Sequence, residues 1–360
     1  MKDWEHTSSE FETTLVSQLT KIKGLSYAIP SRHENRLGSG VERVDLELEV
    51  SVGAQRKTKI VVEAKRMGSP RVVRDAIYQL KHYLSQFSSE NVYGVVGVPF
   101  ISPESAQLCL EAGLGYLDLS GNCHFEFEGV YIHIKGNANR FKSERSLKTL
   151  FSPKATRVLR YLLSDIHRLW KVKDLQVESG VSLGLVSNIR KLLLDQEWSS
   201  KENPLQVKKP EKLLDAWKAE DDWKKRTEVR EYSLLISNPN EAVSKIHRLL
   251  GDLPHAFTQW TAANLKHPFA DTEIITVYVK RFPDDNSLKE CLLARRVDSG
   301  GRLKVVVPQD IGVINPLQWV DGVPLVPDVQ IYLDLQKAGY RGEEAAEELR
   351  HWADFSGGWQ

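Results

Sequence analysis

Cysteine is scarce in this chain: the 360 residues include three, Cys109, Cys123 and Cys291, without C-x-x-C spacing. That scatter excludes a disulfide framework and a cysteine zinc site, and it favours a reducing compartment. No apolar run reaches the roughly 18 residues of a membrane span, and the amino terminus is too polar for a signal peptide. We therefore expect a cytoplasmic protein without a membrane partner.

An excess of charge of either sign is also missing, because 49 lysines and arginines balance 48 acids and leave a net charge of +1. The average charge therefore does not decide whether nucleic acid is a partner, and the local distribution must do so. The chain is longer than one hydrophobic core usually serves, which predicts two or three domains.

Two strand-like segments near the amino terminus carry unusual charges. In segment 43–50, apolar residues alternate strictly with acids, which places Asp45 and two glutamates on one face. Segment 58–65 starts as a nearly continuous apolar run, typical of a buried central strand, and ends in Glu63 and Lys65. A pair of opposite charges at the end of a buried strand requires a physical explanation.

A divalent metal site explains these charges. Hard ions such as Mg²⁺ take oxygen ligands, so the carboxylates of Asp45 and Glu63 and the carbonyl of Ala64 form a suitable open site for Mg²⁺ or Mn²⁺. Lys65 shares the strand face of Glu63, where its ammonium offsets charge developing on a phosphate. We therefore expect a site that cuts phosphodiesters. A solvated row of acids with a surface Glu63–Lys65 pair is the simpler alternative.

A helix is predicted directly after these strands, over 71–84, with an apolar stripe on one side. Gln79 and Tyr83 lie four residues apart on a neighbouring face, so both could point toward the end of the Glu63 strand. Further strand-like and helical runs alternate up to residue 134, which predicts an α/β sheet.

Asp45, Glu63-Ala64-Lys65 and the segment from Gln79 to Tyr83 together resemble the PD-(D/E)xK nuclease superfamily, including the Q-xxx-Y element of its RecB-like branch. The resemblance spans roughly 10–136 and implies a restriction-endonuclease-like fold. It also implies that Asp45 and Glu63 hold the metal, that Lys65 is the catalytic lysine, and that Gln79 and Tyr83 are accessory. Val44 stands where the family has proline. A catalytically silent member used for binding stays open as well.

The segment from 135 to 173 is strongly basic, with eleven lysines and arginines against two acids. Such a concentration of charge favours binding to a phosphate backbone. A solvated linker is the alternative. The side chains predicted to bind DNA here are Arg140, Lys142, Arg145, Lys148, Lys154, Arg157, Lys171 and Lys173.

The segment 154–194 carries two helical runs around a short helix and the turn Gly180-Val181-Ser182, and it resembles winged helix-turn-helix domains of prokaryotic regulators. In such domains the second helix of the pair enters the major groove and reads base edges. A winged helix used for protein contacts is the alternative. The residues predicted to read DNA are Ser182, Ser187, Asn188, Arg190 and Lys191.

The carboxy-terminal part, 227–360, alternates strand-like runs over 233–236, 273–279 and 303–307 with helical ones and shows no catalytic constellation. The segments 113–122 and 329–346 resemble AbiEi-type regulators of type IV toxin–antitoxin systems.

The predicted fold class is α/β, in three parts: a restriction-endonuclease-like domain (1–140), a basic linker with a winged helix (141–226) and an α+β domain (227–360). Two functions stay open. One is a metal-dependent DNA endonuclease in prokaryotic defence or restriction. The other is an AbiEi-type DNA-binding regulator or antitoxin with a silent nuclease-like fold. Expected partners are DNA, a second copy of the chain, and a cognate toxin or defence protein.

Overall fold

The computed structural model describes residues 8–19, 26–27, 44–52, 56–87, 91–140, 150–201, 204–236, 238–270, 272–339 and 341–359. The chain divides into two compact units, the first formed by 1–143 with 195–197 and the second by the remainder. In the described part of each unit, seven strands form one mixed sheet, so the predicted α/β class is confirmed. The finer division of the second unit into a winged helix and an α+β domain stays a prediction.

The first unit is a mixed sheet with helices on both faces. Its strands follow one another in chain order across the sheet, with β3, β4 and β5 parallel and the flanking pairs antiparallel. The elements are α1 (Ser8–Leu19), β1 (Ser26–Tyr27), β2 (Leu46–Val52), β3 (Arg56–Ala64), α2 (Pro70–Leu84), β4 (Val92–Val98), α3 (Pro103–Glu111), β5 (Gly115–Asp118), β6 (Cys123–Phe127) and β7 (Val130–Ile134).

Successive side chains of β2 and β3 point to opposite sides of the sheet, so the sheet has two different faces. Leu48 on β2 and Ile60 on β3 are buried in the core that includes Leu15 of α1. On the opposite face, Val61 is buried against the apolar stripe of α2, which includes Leu80. Because side chains alternate along a strand, the acids of β2 share one face, as the sequence predicts, and this is the face on which α2 lies.

Close packing of α1 on the sheet explains a glycine near the end of β4. A Cβ atom at Gly97 would lie 2.7 Å from a methyl group of Leu15 and 3.2 Å from one of Val62. Glycine therefore lets α1 approach the central strands, at the entropic cost that glycine carries in a strand.

The second unit also has a mixed sheet, whose strands in spatial order are Arg295–Val297, Thr227–Ser233, Leu303–Pro308, Ile275–Val279, His255–Thr258, Val323–Leu325 and Gln318–Val320. None of the helices in the described ranges has the length and hydropathy that a bilayer span requires. From residue 150 onward the elements are α4 (Pro153–Ser164), α5 (Val172–Ser179), α6 (Leu183–Asp195), α7 (Pro210–Glu220), α8 (Trp223–Arg226), β8 (Thr227–Ser233), α9 (Pro239–Leu250), β9 (His255–Thr258), α10 (Gln259–Lys266), β10 (Ile275–Val279), α11 (Asp285–Leu292), β11 (Arg295–Val297), β12 (Leu303–Pro308), β13 (Gln318–Val320), β14 (Val323–Leu325), α12 (Asp328–Leu335) and α13 (Gly342–His351).

The strand predicted over 233–236 is wrong, because β8 runs from Thr227 to Ser233 and ends where the predicted run begins. β8 pairs with β12 on one side and β11 on the other, yet most of its side chains are exposed or half-buried. Because charged residues interrupt β8, the strand contains no apolar run from which it could have been predicted. The strands predicted over 273–279 and 303–307 correspond to β10 and β12.

A buried polar network lies beside α12, all of whose residues are buried. The Asp334 carboxylate accepts hydrogen bonds from Arg226 at 2.7 Å, from Gln330 at 2.6 Å and from the Thr258 hydroxyl. Arg226 also donates to the Tyr278 hydroxyl at 2.7 Å. Burial raises the pKa of Asp334, against the lowering effect of Arg226 and its hydrogen bonds. Buried polar groups of this kind need partners, and each one here has them.

Candidate active site at the end of β3

The candidate site lies where β3 continues beyond its partner β2. Pairing between these strands ends at Leu46 opposite Val62, so β2 offers no ladder partner at Ala64. The Ala64 amide instead donates a hydrogen bond to Oδ2 of Asp45, at 2.7 Å. On the other side, the Lys65 amide donates to the carbonyl of Gly97 on β4, at 2.7 Å. This arrangement places the Asp45 carboxylate beside the residue that separates Glu63 from Lys65.

The Lys65 ammonium joins the strand to the helix. Its Nζ atom donates to Oε1 of Glu63 at 2.6 Å and to Oε1 of Gln79 at 2.7 Å. The Glu63 side chain is 8% exposed and that of Lys65 is 24% exposed, so this ion pair is partly shielded from water. The structure therefore brings together five of the predicted site residues. They are Asp45, Glu63, Ala64, Lys65 and Gln79.

Tyr83 is anchored by a residue that sequence reasoning did not select. Its hydroxyl donates to Oε1 of Glu47, and the Lys59 ammonium lies 2.9 Å from Oε2 of the same carboxylate. The ring of Tyr83 lies 5.0 Å from that of Phe87. Glu47 is two residues from Asp45 on the same face of β2, and that spacing was the signal that could have identified it.

Replacing Tyr83 with phenylalanine should destabilise the first unit by about 1 kcal/mol, because the hydroxyl's hydrogen bond to Glu47 is lost while ring packing remains. Native-state hydrogen exchange of segment 44–84 measures this change. Tyr78→Phe on the same helix is the matched control, since Tyr78 is 73% exposed. Equal effects of both substitutions would show that the Glu47 contact is not stabilising.

The donor set at the end of β3 fits a hard divalent cation. Asp45 and Glu63 supply carboxylate oxygens, and the Ala64 carbonyl lies on the same side of an extended strand as its amide, which faces Asp45. Mg²⁺ is usually bound through one or two carboxylates and keeps several waters. In the described part of the chain no group of three or more His, Cys, Asp or Glu residues could hold a metal, so two carboxylates and water would have to suffice.

The side chains predicted to read DNA lie on and before α6. α5 ends at Gly180, which has a φ of 64°, and the Ser182 hydroxyl accepts a hydrogen bond from the Leu185 amide at the start of α6. Ser187, Asn188 and Lys191 are exposed along this helix, and Arg190 is half-buried.

Two short antiparallel bridges accompany these helices. Trp170 pairs with Leu205 through two hydrogen bonds of 2.8 Å, and Ser199 pairs with Val207. The first bridge joins the segment after α4 to the segment after α6, and the second lies within the segment after α6.

The predicted basic side chains differ in their surroundings. Arg157 donates from Nε to both carboxylate oxygens of Asp310, at 2.9 and 3.0 Å, and is therefore held within the second unit. Lys142, Arg145 and Lys148 lie outside the described residues. The exposed members of the predicted set are Arg140, Lys154, Lys171 and Lys173.

No family model and no curated protein matches this chain. Two solved structures are similar to part of it: a repair endonuclease from Pyrococcus abyssi and EndoMS in a complex with double-stranded DNA. The first is 23% identical over 33% of this chain and 49% of that one, with a TM-score of 0.24. The second is 23% identical over 32% of this chain and 47% of that one, with a TM-score of 0.22. The matched region spans about half the length of both structures.

Proposed function

We propose that this protein is a metal-dependent DNA endonuclease with its active site at the end of β3. The observation that carries the proposal is the convergence of Asp45, Glu63 and Lys65 around Ala64, with Gln79 of α2 as a fourth side chain. Three segments that are separate in sequence but adjacent in space contribute these groups: the residue before β2, the end of β3 and one face of α2.

Asp45 and Glu63, with the Ala64 carbonyl, would hold a Mg²⁺ or Mn²⁺ ion. When bound, such an ion polarises a phosphoryl oxygen and lowers the pKa of a coordinated water. The ammonium of Lys65 can donate a hydrogen bond to a phosphate oxygen and offset the negative charge that grows there in the transition state. Gln79 restricts where Lys65 can point, because its Oε1 accepts from Nζ.

In this proposal the α5–α6 region is a winged helix that binds the substrate duplex. The exposed polar groups of α6 have the chemistry for base edges, since an asparagine such as Asn188 can contact adenine and serine hydroxyls contact several bases. Lys171 and Lys173, exposed at the start of α5, suit phosphate contacts. A role in prokaryotic defence or restriction is part of the proposal.

The direct test is to incubate the purified chain with plasmid, linear and single-stranded DNA, with and without Mg²⁺ or Mn²⁺. Cleavage products are expected only in the arms that contain the protein and the metal, and EDTA should stop their formation. An intact substrate in every arm, from a chain that binds DNA normally, would contradict the proposal.

The DNA-binding part of the proposal predicts separate effects for two residues of α6. Lys191→Ala should weaken binding about equally for all sequences and lower the salt dependence by about one phosphate contact. Asn188→Ala should instead cost about 1–3 kcal/mol on preferred sites and relax specificity. Titrations with labelled duplexes at several salt concentrations measure both effects.

Lys245→Ala is the matched control for that experiment, because Lys245 is an exposed lysine on α9 that pairs with Glu241. Unchanged affinity in both α6 variants would remove this helix from the interface.

A second function, an AbiEi-type regulator or antitoxin with a silent nuclease-like fold, is favoured by one observation. The Lys65 ammonium already has two oxygen partners, and its contact with Glu63 would have to open before both groups could serve a reaction. Tight DNA binding without any metal-dependent product, together with capture of a cognate toxin, would favour this alternative. A homodimer is compatible with both functions.

A further inference from the structure

A cavity of about 190 Å³ lies in the second unit, and none of the residues that line it is assigned above to metal or DNA. It is formed by the start of α4, the end of α7, α8 and the segment that follows β12. Apolar side chains form one part of its wall and a buried arginine lies at another. The apolar lining residues are Phe151, Pro153, Trp217, Pro308 and Val313.

The arginine, Arg160, has neutral partners. It is 5% exposed, and its Nε donates to Oε1 of Gln330 at 2.9 Å. Its other contacts are two longer hydrogen bonds of 3.4 Å, to the Gly312 carbonyl and the Thr156 hydroxyl. In the part of the chain that the structure describes, no carboxylate lies within ion-pair distance of it. Asp310 and Asp334 attract Arg160 without touching it, because Gln330 bonds both Arg160 and Asp334, so an anion in direct contact with the guanidinium would still be favourable.

The electrostatics of the cavity support the same conclusion. Burial and then the nearby Arg226 lower the pKa of Arg160 to about 10, against the raising effect of Tyr278, Asp310 and Asp334. An anion beside Arg160 would remove both penalties, because it supplies opposite charge and hydrogen-bond acceptors.

The acids around the cavity already have cationic partners. Asp310 is bonded to Arg157, Asp221 to Arg226 at 2.7 Å, and Asp222 to Lys225 at 2.8 Å. Because Asp221 shares Arg226 with Asp334, these charges are only partly offset before any ligand enters. The exposed Glu220 at the rim disfavours ligands that carry several negative charges. The site consequently suits a monoanion.

The apolar wall adds a requirement for a flat ring. Phe151 and Trp217 stack with ring centroids 6.4 Å apart and planes inclined by 20°. The Arg160 guanidinium lies 5.5 Å from the centroid of Trp217. A buried cavity of about 150 Å³ is known to hold benzene, so the volume here admits one ring with a small substituent.

We propose that this cavity binds a small aromatic monocarboxylate, with its carboxylate on Arg160 and its ring against Phe151 and Trp217. A ligand without the carboxylate should bind more weakly, because Arg160 would then have no anion in direct contact. A ligand without the ring should also bind more weakly, because the apolar wall of the cavity would remain hydrated. The proposal does not depend on nuclease activity.

Titration calorimetry of the full chain with benzoate tests the proposal, with benzyl alcohol as the ligand without charge and acetate as the ligand without a ring. Benzoate should bind at millimolar concentration or below and raise the unfolding midpoint by about 2–4 °C at saturation. Both comparison ligands should bind at least about tenfold more weakly. No heat and no midpoint shift with 10 mM benzoate, or equal binding of benzyl alcohol, would overturn it.

Arg160→Lys should lower the affinity for benzoate about tenfold, because lysine keeps the positive charge but lacks the planar guanidinium that binds both carboxylate oxygens. Val313→Phe should abolish binding by filling the cavity, and it decides the matter if the Arg160 variant fails to fold. Lys289→Gln on α11, outside the cavity, should leave affinity unchanged. Benzoate binding that persists in Val313→Phe would also overturn the proposal.

Discussion

The Lys65→Ala variant should cut DNA about 10²–10³ times more slowly than the unmodified chain, the scale expected when one group that stabilises transition-state charge is removed. Asp45→Asn should be at least as slow, because it replaces a charged metal ligand with a neutral one. Gln79→Ala should lose less, since Gln79 acts only by holding Lys65. DNA affinity should stay within about twofold in all three variants, because the proposed binding surface is on α6.

Single-turnover cleavage with saturating protein separates these rate effects from binding. Lys81→Ala is the matched control, because Lys81 is an exposed lysine on α2 that is two residues beyond Gln79. Its rate should equal that of the unmodified chain. Undiminished cutting by both the Lys65 and the Asp45 variants would reject the site at the end of β3.

The second large effect concerns stability. Asp334→Ala should lower the free energy of unfolding of the second unit by about 3–5 kcal/mol, because it leaves buried donors of Gln330 and Thr258 without an acceptor and removes one of the two carboxylates that pair with Arg226. Asp334→Asn, which keeps the shape but removes the charge, separates the electrostatic part of that loss.

Urea unfolding followed by tryptophan fluorescence suits this measurement, because eight of the nine tryptophans follow residue 150. Glu241→Ala is the control, since its ion pair with Lys245 on α9 is exposed and should contribute less than about 1 kcal/mol. A loss for Asp334→Ala no greater than that of the control would show that the network is not stabilising.

The candidate site was predictable because its information is local. Alternation along β2 and β3 determines which residues share a face, so Asp45, Glu63 and Lys65 could be grouped before any coordinates existed. The order strand, strand, helix then placed Gln79 over the same end of the sheet. The anchoring of Tyr83 by Glu47 was harder to foresee, because it depends on how α2 lies across β2.

The buried network and the cavity could not be predicted, because their members are distant in sequence. Arg160 and Gln330 are 170 positions apart, and Arg226 and Asp334 are 108 apart. No periodic pattern links such residues. β8 was missed for another reason: it is a paired strand whose side chains are mostly exposed or half-buried, and three of the seven are charged, so its composition resembles that of a loop.

The register in which β2 pairs with β3 also affects how the sheet folds. A slip of one position would turn Leu46 and Leu48 toward α2 and drive Asp45 and Glu47 into the layer that holds Leu15. Burying two unneutralised carboxylates there would be prohibitive. The acidic stripe therefore penalises misaligned sheets during folding, so selection for correct assembly would preserve it whether or not the chain cuts DNA.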